Sequence, residues 1–164
     1  MRTQREIENN SYHEAGHAIA AVVLGQKFKC ATVKRRESSW GRLEGFNGGH
    51  PIFSAIVYFS GPLAQSKLGC EILECDGNGD FDNARAQLDW LCVVVVEIDN
   101  KKLYNDTMKC ARQFVEDNFK QIECIAHVLI DKKRLEYSEI IKLLVENKMY
   151  CSLVIPKMPR LEKE

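Results

Sequence analysis

Residues 3–25 read TQREIENNSYHEAGHAIAAVVLG. Thr3 and Glu6 have the spacing of a capping box, in which each satisfies a backbone N–H beside the other. From Ser11 to Leu24 the run is Ala-rich and free of proline, and Gly25 is a natural stop. The segment is therefore read as one helix. Inside it lies His13-Glu14-Ala15-Gly16-His17. Residues four apart on a helix share a face, so both histidines can aim a ring nitrogen at one metal ion. Glu14 is turned by about 100° from His13 and can reach a water on that metal without ligating it. The expected chemistry is that of Zn2+, which lowers the pKa of its water while Glu14 takes the proton and later returns it to a leaving amine. Small Ala15 and Gly16 leave room for another element to come close. The competing reading is two surface histidines on an ordinary helix.

Outward from this helix, Lys27–Arg36 reads as a strand, and Ser38–Phe46 as a second strand or exposed edge. Asn47-Gly48-Gly49 is a loop. Pro51 can open a helix, and Ile52–Leu68 is apolar enough to be a buried one ending at Gly69. Cys75–Asp80 is a polar loop. Phe81 to Ile98 is helical with an apolar second half, which is core or interface, core being the default. Lys101–Asn118, Gln121–Lys133 and Ser138–Asn147 follow as amphipathic helices. The expected class is mainly α (α+β): five or six helices and a small β-hairpin in the N-terminal third. Residues 1–156 read as one domain and 157–164 as a polar, loose tail.

The 164 residues carry 23 Lys+Arg and 23 Asp+Glu, so the net charge is zero and no global field draws nucleic acid. No apolar run approaches the roughly 20 residues that a membrane span needs. The polar segment Arg2–Asn10 does not read as a secretion signal. Seven cysteines without a CxxC pair read as reduced thiols, several of them packing residues, in a cytoplasmic protein. Their spacing disfavours a zinc site built from them.

A catalytic zinc ordinarily takes three protein ligands and a water. Two further histidines exist, His50 in a Gly-rich loop and His127 on an apolar helix, and each has a blander role to hand. No third histidine follows His17 at the spacing of an extended motif. Three carboxylates, Asp76, Asp80 and Asp82, cluster where a loop enters a helix. Any of them could stand beside the histidine pair, and all suit a helix N-terminus.

Ser11-Tyr12-His13-Glu14-Ala15-Gly16-His17-Ala18 resembles the signature of one family, the peptidase domain of the FtsH-type, membrane-anchored AAA proteases. Ala31-Thr32-Val33 and Trp40-Gly41-Arg42-Leu43 fall where that family has a strand pair with a substrate-binding edge. Ser60-Gly61-Pro62-Leu63-Ala64-Gln65 is similar in position to its Gly-Gly-Arg-Ala-Ala-Glu stretch but departs from it in sequence. The family's third ligand is an aspartate followed four residues later by alanine. Asp82-Asn83-Ala84-Arg85-Ala86 matches, so the resemblance implies Zn2+ held by His13, His17 and Asp82, with Glu14 as base. It covers roughly residues 5–147. It implies a metalloendopeptidase that takes unfolded or flexible polypeptide along Trp40, Gly41, Arg42 and Leu43. The chain has no Walker A sequence and no membrane anchor, so the expectation is cleavage without ATP by a monomer or small oligomer. The alternative is a catalytically idle, zinc-containing binding module.

Overall fold

The computed structural model describes residues 3–35, 40–69, 79–95 and 99–159. Helix α1 spans Gln4–Val23, and its capping box is formed: the Glu6 N–H donates to Thr3 Oγ1 at 3.2 Å and the Thr3 N–H to Glu6 Oε2 at 2.8 Å. From Ser11 to Val22 nearly every residue is buried. A helix covered on all sides runs through a protein rather than along it. Helix α1 is the axis here, packed on α2 (Pro51–Ser66) and α5 (Phe119–Lys132).

The hairpin is β1 (Cys30–Arg35) and β2 (Trp40–Glu44). A third strand, β3 (Arg134–Glu136), joins from the far end of the chain and gives the antiparallel order β2-β1-β3. The register explains why so short a strand holds. Leu43, Ala31 and Leu135 stand side by side, and Ala31 and Leu135 are fully buried. The neighbouring rows are Arg42, Thr32, Arg134 and Glu44, Cys30, Glu136. They share the opposite face because side chains alternate along a strand. Their charges interlock: Arg42 Nη2 lies 3.0 Å from Glu44 Oε1, and Arg134 Nη1 lies 3.2 Å from Glu44 Oε2. Strand β3 was not expected from the sequence, since three residues carry too little alternation to signal a strand.

Helices α3 (Gly79–Val94), α4 (Asn100–Asp117) and α6 (Tyr137–Glu146) complete the set. Asp99 caps α4 by accepting from the Lys102 N–H at 3.0 Å. Buried Asn118, between α4 and α5, holds the C-terminal segment: its Nδ2 donates to the Val154 carbonyl at 3.0 Å, and its Oδ1 accepts from the Val154 N–H at 2.8 Å. Among the described residues, most of the buried apolar ones form one cluster reaching from Tyr12 to Leu144. The mainly α class with a small antiparallel sheet stands as expected. One expectation needs correcting. The apolar second half of α3 is not all core, for Leu88 and Leu91 are buried but Trp90, Val93 and Val94 face outward. The loop expected over Cys75–Asp80 lies mostly outside the described residues, as do Cys70, Asp76 and the end of the polar tail. Among the described residues no helix is long and apolar enough to cross a membrane.

Candidate metal centre

The first turn of α3 ends against the middle of α1. His13 and His17 stand one turn apart, with their rings 4.7 Å between centroids and nearly perpendicular. Both Nε2 atoms face the same oxygen, Asp80 Oδ2, at 2.8 Å from His13 and 3.3 Å from His17. One ligand atom from each of the three lies within 4.8 Å of the others, so the group could hold a metal ion. Two ligands on a tetrahedral ion with bonds of about 2.0–2.1 Å stand roughly 3.3 Å apart. The His17–Asp80 pair already has that separation at 3.3 Å, and the His13–Asp80 pair, at 2.8 Å, would open by about half an ångström to admit the ion.

The other ring nitrogens are held by α2. His17 Nδ1 lies 2.7 Å from the Val57 carbonyl, and His13 Nδ1 lies 3.0 Å from Gln65 Oε1. A carbonyl oxygen only accepts, so each Nδ1 is the donor in these bonds, which leaves both Nε2 atoms directed at Asp80 and, with a metal ion between them, free to ligate. Outer partners of this kind fix the tautomer and orientation of metal-binding imidazoles. They are within reach because α1 and α2 touch closely. A Cβ at Gly16 would overlap the Ser60 carbonyl, and a Cβ at Gly61 would overlap the His17 ring. Gly61 and Gln65 both lie in the stretch that departs from the family pattern, yet each has a defined task here.

Glu14 is 3% exposed, and its Oε2 has no hydrogen-bond partner among the described residues. Buried polar atoms are nearly always partnered, so an orphaned carboxylate oxygen beside two imidazoles fits a site made for a further ligand. Burial pushes the Glu14 carboxyl up to about 8; the His13 charge draws it down in part, and Asp80 adds to the rise. Strand β2 covers it at Gly41, whose φ is +127° and whose Cβ, if present, would overlap the Glu14 carboxylate. Glycine alone combines that backbone with that contact.

Burial would raise Asp80, but the charge of His17 and hydrogen bonds from both histidines outweigh it and hold this carboxyl far below the usual range. Burial would lower His17, and Asp80 outweighs that to raise it. These shifts set a pH dependence for the metal-free chain. Glu14 holds its proton more tightly when folded, so its contribution falls as pH rises from about 4.5 toward about 8. The His17 contribution is present below the ordinary histidine value of 6.5 and is lost as pH rises through its raised folded value. That of Asp80 is lost only in acid. Chelator-treated protein should therefore melt lower at pH 8 than at pH 5.5. Added zinc should raise the melting temperature more at pH 8, because its ligands bind deprotonated. Thermal unfolding at both pH values checks this, and a higher metal-free melting temperature at pH 8 would contradict it.

The group opens into a cleft of about 250 Å³ walled by Gly41, Arg42 and Leu43 on one side and by Tyr58 and Asn83 on the other. The Phe46 ring stands edge-on to Tyr58 at 5.7 Å. Of Trp40 the backbone alone is described. A larger hollow of about 350 Å³ between α3 and α4, lined by Arg85, Asp89 and Tyr104, holds none of the metal group. Chemistry, not size, distinguishes the smaller cleft.

The carboxylate beside the histidines is that of Asp80. Asp82, which the resemblance implied, is exposed, since two residues along an α-helix turn a side chain by about 200°. The family spacing fits both, because Ala84 follows Asp80 by four residues as Ala86 follows Asp82. Ala84 is fully buried while Ala86 is exposed. Of the other histidines, His50 lies against Phe53 at 5.1 Å and His127 lies 3.4 Å from the Tyr12 hydroxyl. Neither approaches the group. The five described cysteines are free thiols, and none belongs to it. No protein-family model and no curated protein matches the chain. The likeness to FtsH-type peptidase domains therefore stands on the residues named above and on nothing else.

Proposed function

We propose that the chain is a zinc-dependent metallopeptidase that cuts unfolded or flexible polypeptide segments. The observation that carries this reading is the convergence of His13 Nε2, His17 Nε2 and Asp80 Oδ2 beside the buried, unpartnered oxygen of Glu14. Zinc held by those three residues would supply Lewis-acid polarisation of a peptide carbonyl and of an attacking water.

The chain's own residues do the rest. Glu14 receives the water's proton at its carboxylate and passes it to the amine nitrogen as the C–N bond breaks. Its buried carboxylate has an oxygen with no hydrogen-bond partner among the described residues, beside the metal group, to take that proton. Val57 and Gln65 keep the histidine rings aimed. Gly41 lets the backbone of β2 pass against Glu14, and β2 is an edge strand, so an extended peptide can add to it by main-chain pairing. Arg42 and Leu43 would then meet the substrate's side chains. None of these steps uses a nucleotide.

An idle binding module would have no use for Glu14. An unpartnered buried carboxylate costs stability, and such a cost persists where activity needs it. The test is incubation with an unfolded polypeptide and mass spectrometry of the products. Cleavage should stop on chelation and return when zinc is restored. Activity that survives in fully metal-free protein would contradict the proposal. Stoichiometric zinc without cleavage of any unfolded polypeptide or peptide library would favour the binding module.

A further inference from the structure

Helix α3 has three faces, and each is occupied differently. Phe81, Ala84, Leu88 and Leu91 are buried in the core. Asp82, Arg85 and Asp89 form a charged, exposed face, on which Arg85 lies 5.3 Å over the Tyr104 ring and Asp89 accepts from Asn100 at 2.6 Å. The third face repeats at three- and four-residue steps: Asp80, Asn83, Gln87, Trp90 and Val94. It begins at the metal group, passes the cleft wall at Asn83 and carries no charge beyond Asp80. It ends in Trp90 and Val94, flanked by Val93, which are 58%, 57% and 80% exposed.

We propose that this face is an exosite for apolar side chains of the polypeptide substrate, continuous with the cleft. The proposal rests on the peptidase reading and names a substrate feature that the metal site alone does not select. Length supports it. Trp90 lies ten residues beyond Asp80, about 15 Å along a helix that rises 1.5 Å per residue. An extended chain advances roughly 3.4 Å per residue, so a peptide leaving the cleft along α3 reaches Trp90 four to five residues from the scissile bond. It reaches Val94 about six residues from that bond. Area argues against a second copy of the chain as the occupant. Even if a fully exposed Trp offers about 250 Å², the three side chains together expose on the order of 300 Å², well short of the roughly 800 Å² per partner of a stable interface. A peptide segment needs only such a patch. Burying it by two apolar side chains is enough to change affinity about tenfold at ordinary transfer energies.

The test uses zinc-loaded Glu14→Gln protein, which keeps the metal ligands, and fluorescein-labelled peptides of about fourteen residues. One peptide carries leucines at the four-to-six-residue distance on both sides of the centre, and one carries serines there. Anisotropy should show the leucine peptide binding at least about tenfold more tightly. The double variant Trp90→Ser/Val94→Ser, changed only at the surface, should erase that preference while circular dichroism and zinc content stay unchanged. Equal affinity for the two peptides, or a leucine preference that survives the double variant, would overturn the exosite. So would a dimer, seen by sedimentation, that the double variant dissolves. In the Glu14-intact enzyme the double variant should raise KM for the leucine peptide and leave a six-residue substrate unaffected. Failure of the wild type to cut the short substrate bears on the peptidase reading, whereas the binding comparison bears on the exosite.

Discussion

The Glu14→Gln chain should hold zinc as tightly as the wild type and cut unfolded polypeptide at least about 100-fold more slowly, the low end of what a positioned general base contributes. The amide matches the carboxylate in shape, and Glu14 is outside the ligand group, so the metal should stay. What is lost is the acceptor for a proton. The buried carboxyl is pushed up to about 8 by its surroundings, so replacing it by a neutral amide should also raise the stability of the metal-free chain above pH 7. Cleavage kinetics, zinc stoichiometry and thermal unfolding read these three quantities separately. Full activity in the variant would remove Glu14 from the mechanism. Loss of zinc along with activity would make it a ligand instead.

The second large effect separates two aspartates two residues apart. Asp80→Asn should weaken zinc binding by more than about 100-fold, because changes outside the ligand shell alone cost 10- to 100-fold. Asp82→Asn should leave affinity unchanged, since that side chain is exposed. Titration calorimetry against a competing chelator measures both. The reverse pattern would restore the assignment that the sequence resemblance implied and would show that α3 is rotated relative to the arrangement described here.

Much of this was legible in the residues. The capping box at Thr3 and Glu6, the stop at Gly25 and the run from Pro51 to Ser66 are local signals, and local chemistry decides them. The histidine pair was legible because helical spacing alone places it on one face. What was not legible depends on register and rotation. Asp80 and Asp82 satisfy the same spacing rule, and only the packing of Ala84 into the core chooses between them. Strand β3 is three residues long, and it exists because Leu135 completes a buried row with Ala31 on a strand about a hundred residues earlier. The exposed end of α3 reads by default as core because Val and Trp are apolar, whereas the helix offers only one buried face, already filled by Leu88 and Leu91. Gln65 lay in a stretch that only departed from a pattern, and nothing in its sequence neighbourhood says that it accepts from His13.

The central claim is that His13, His17 and Asp80 together bind one metal ion. X-ray absorption at the zinc edge, on protein loaded with one equivalent, tests it most directly. The result predicted is a first shell of nitrogen and oxygen at about 2.0–2.1 Å with the multiple scattering of two imidazoles and no sulfur, lost in Asp80→Asn. A sulfur shell near 2.3 Å, which would assign the ion to the cysteines, or zinc that binds without imidazole, would contradict it.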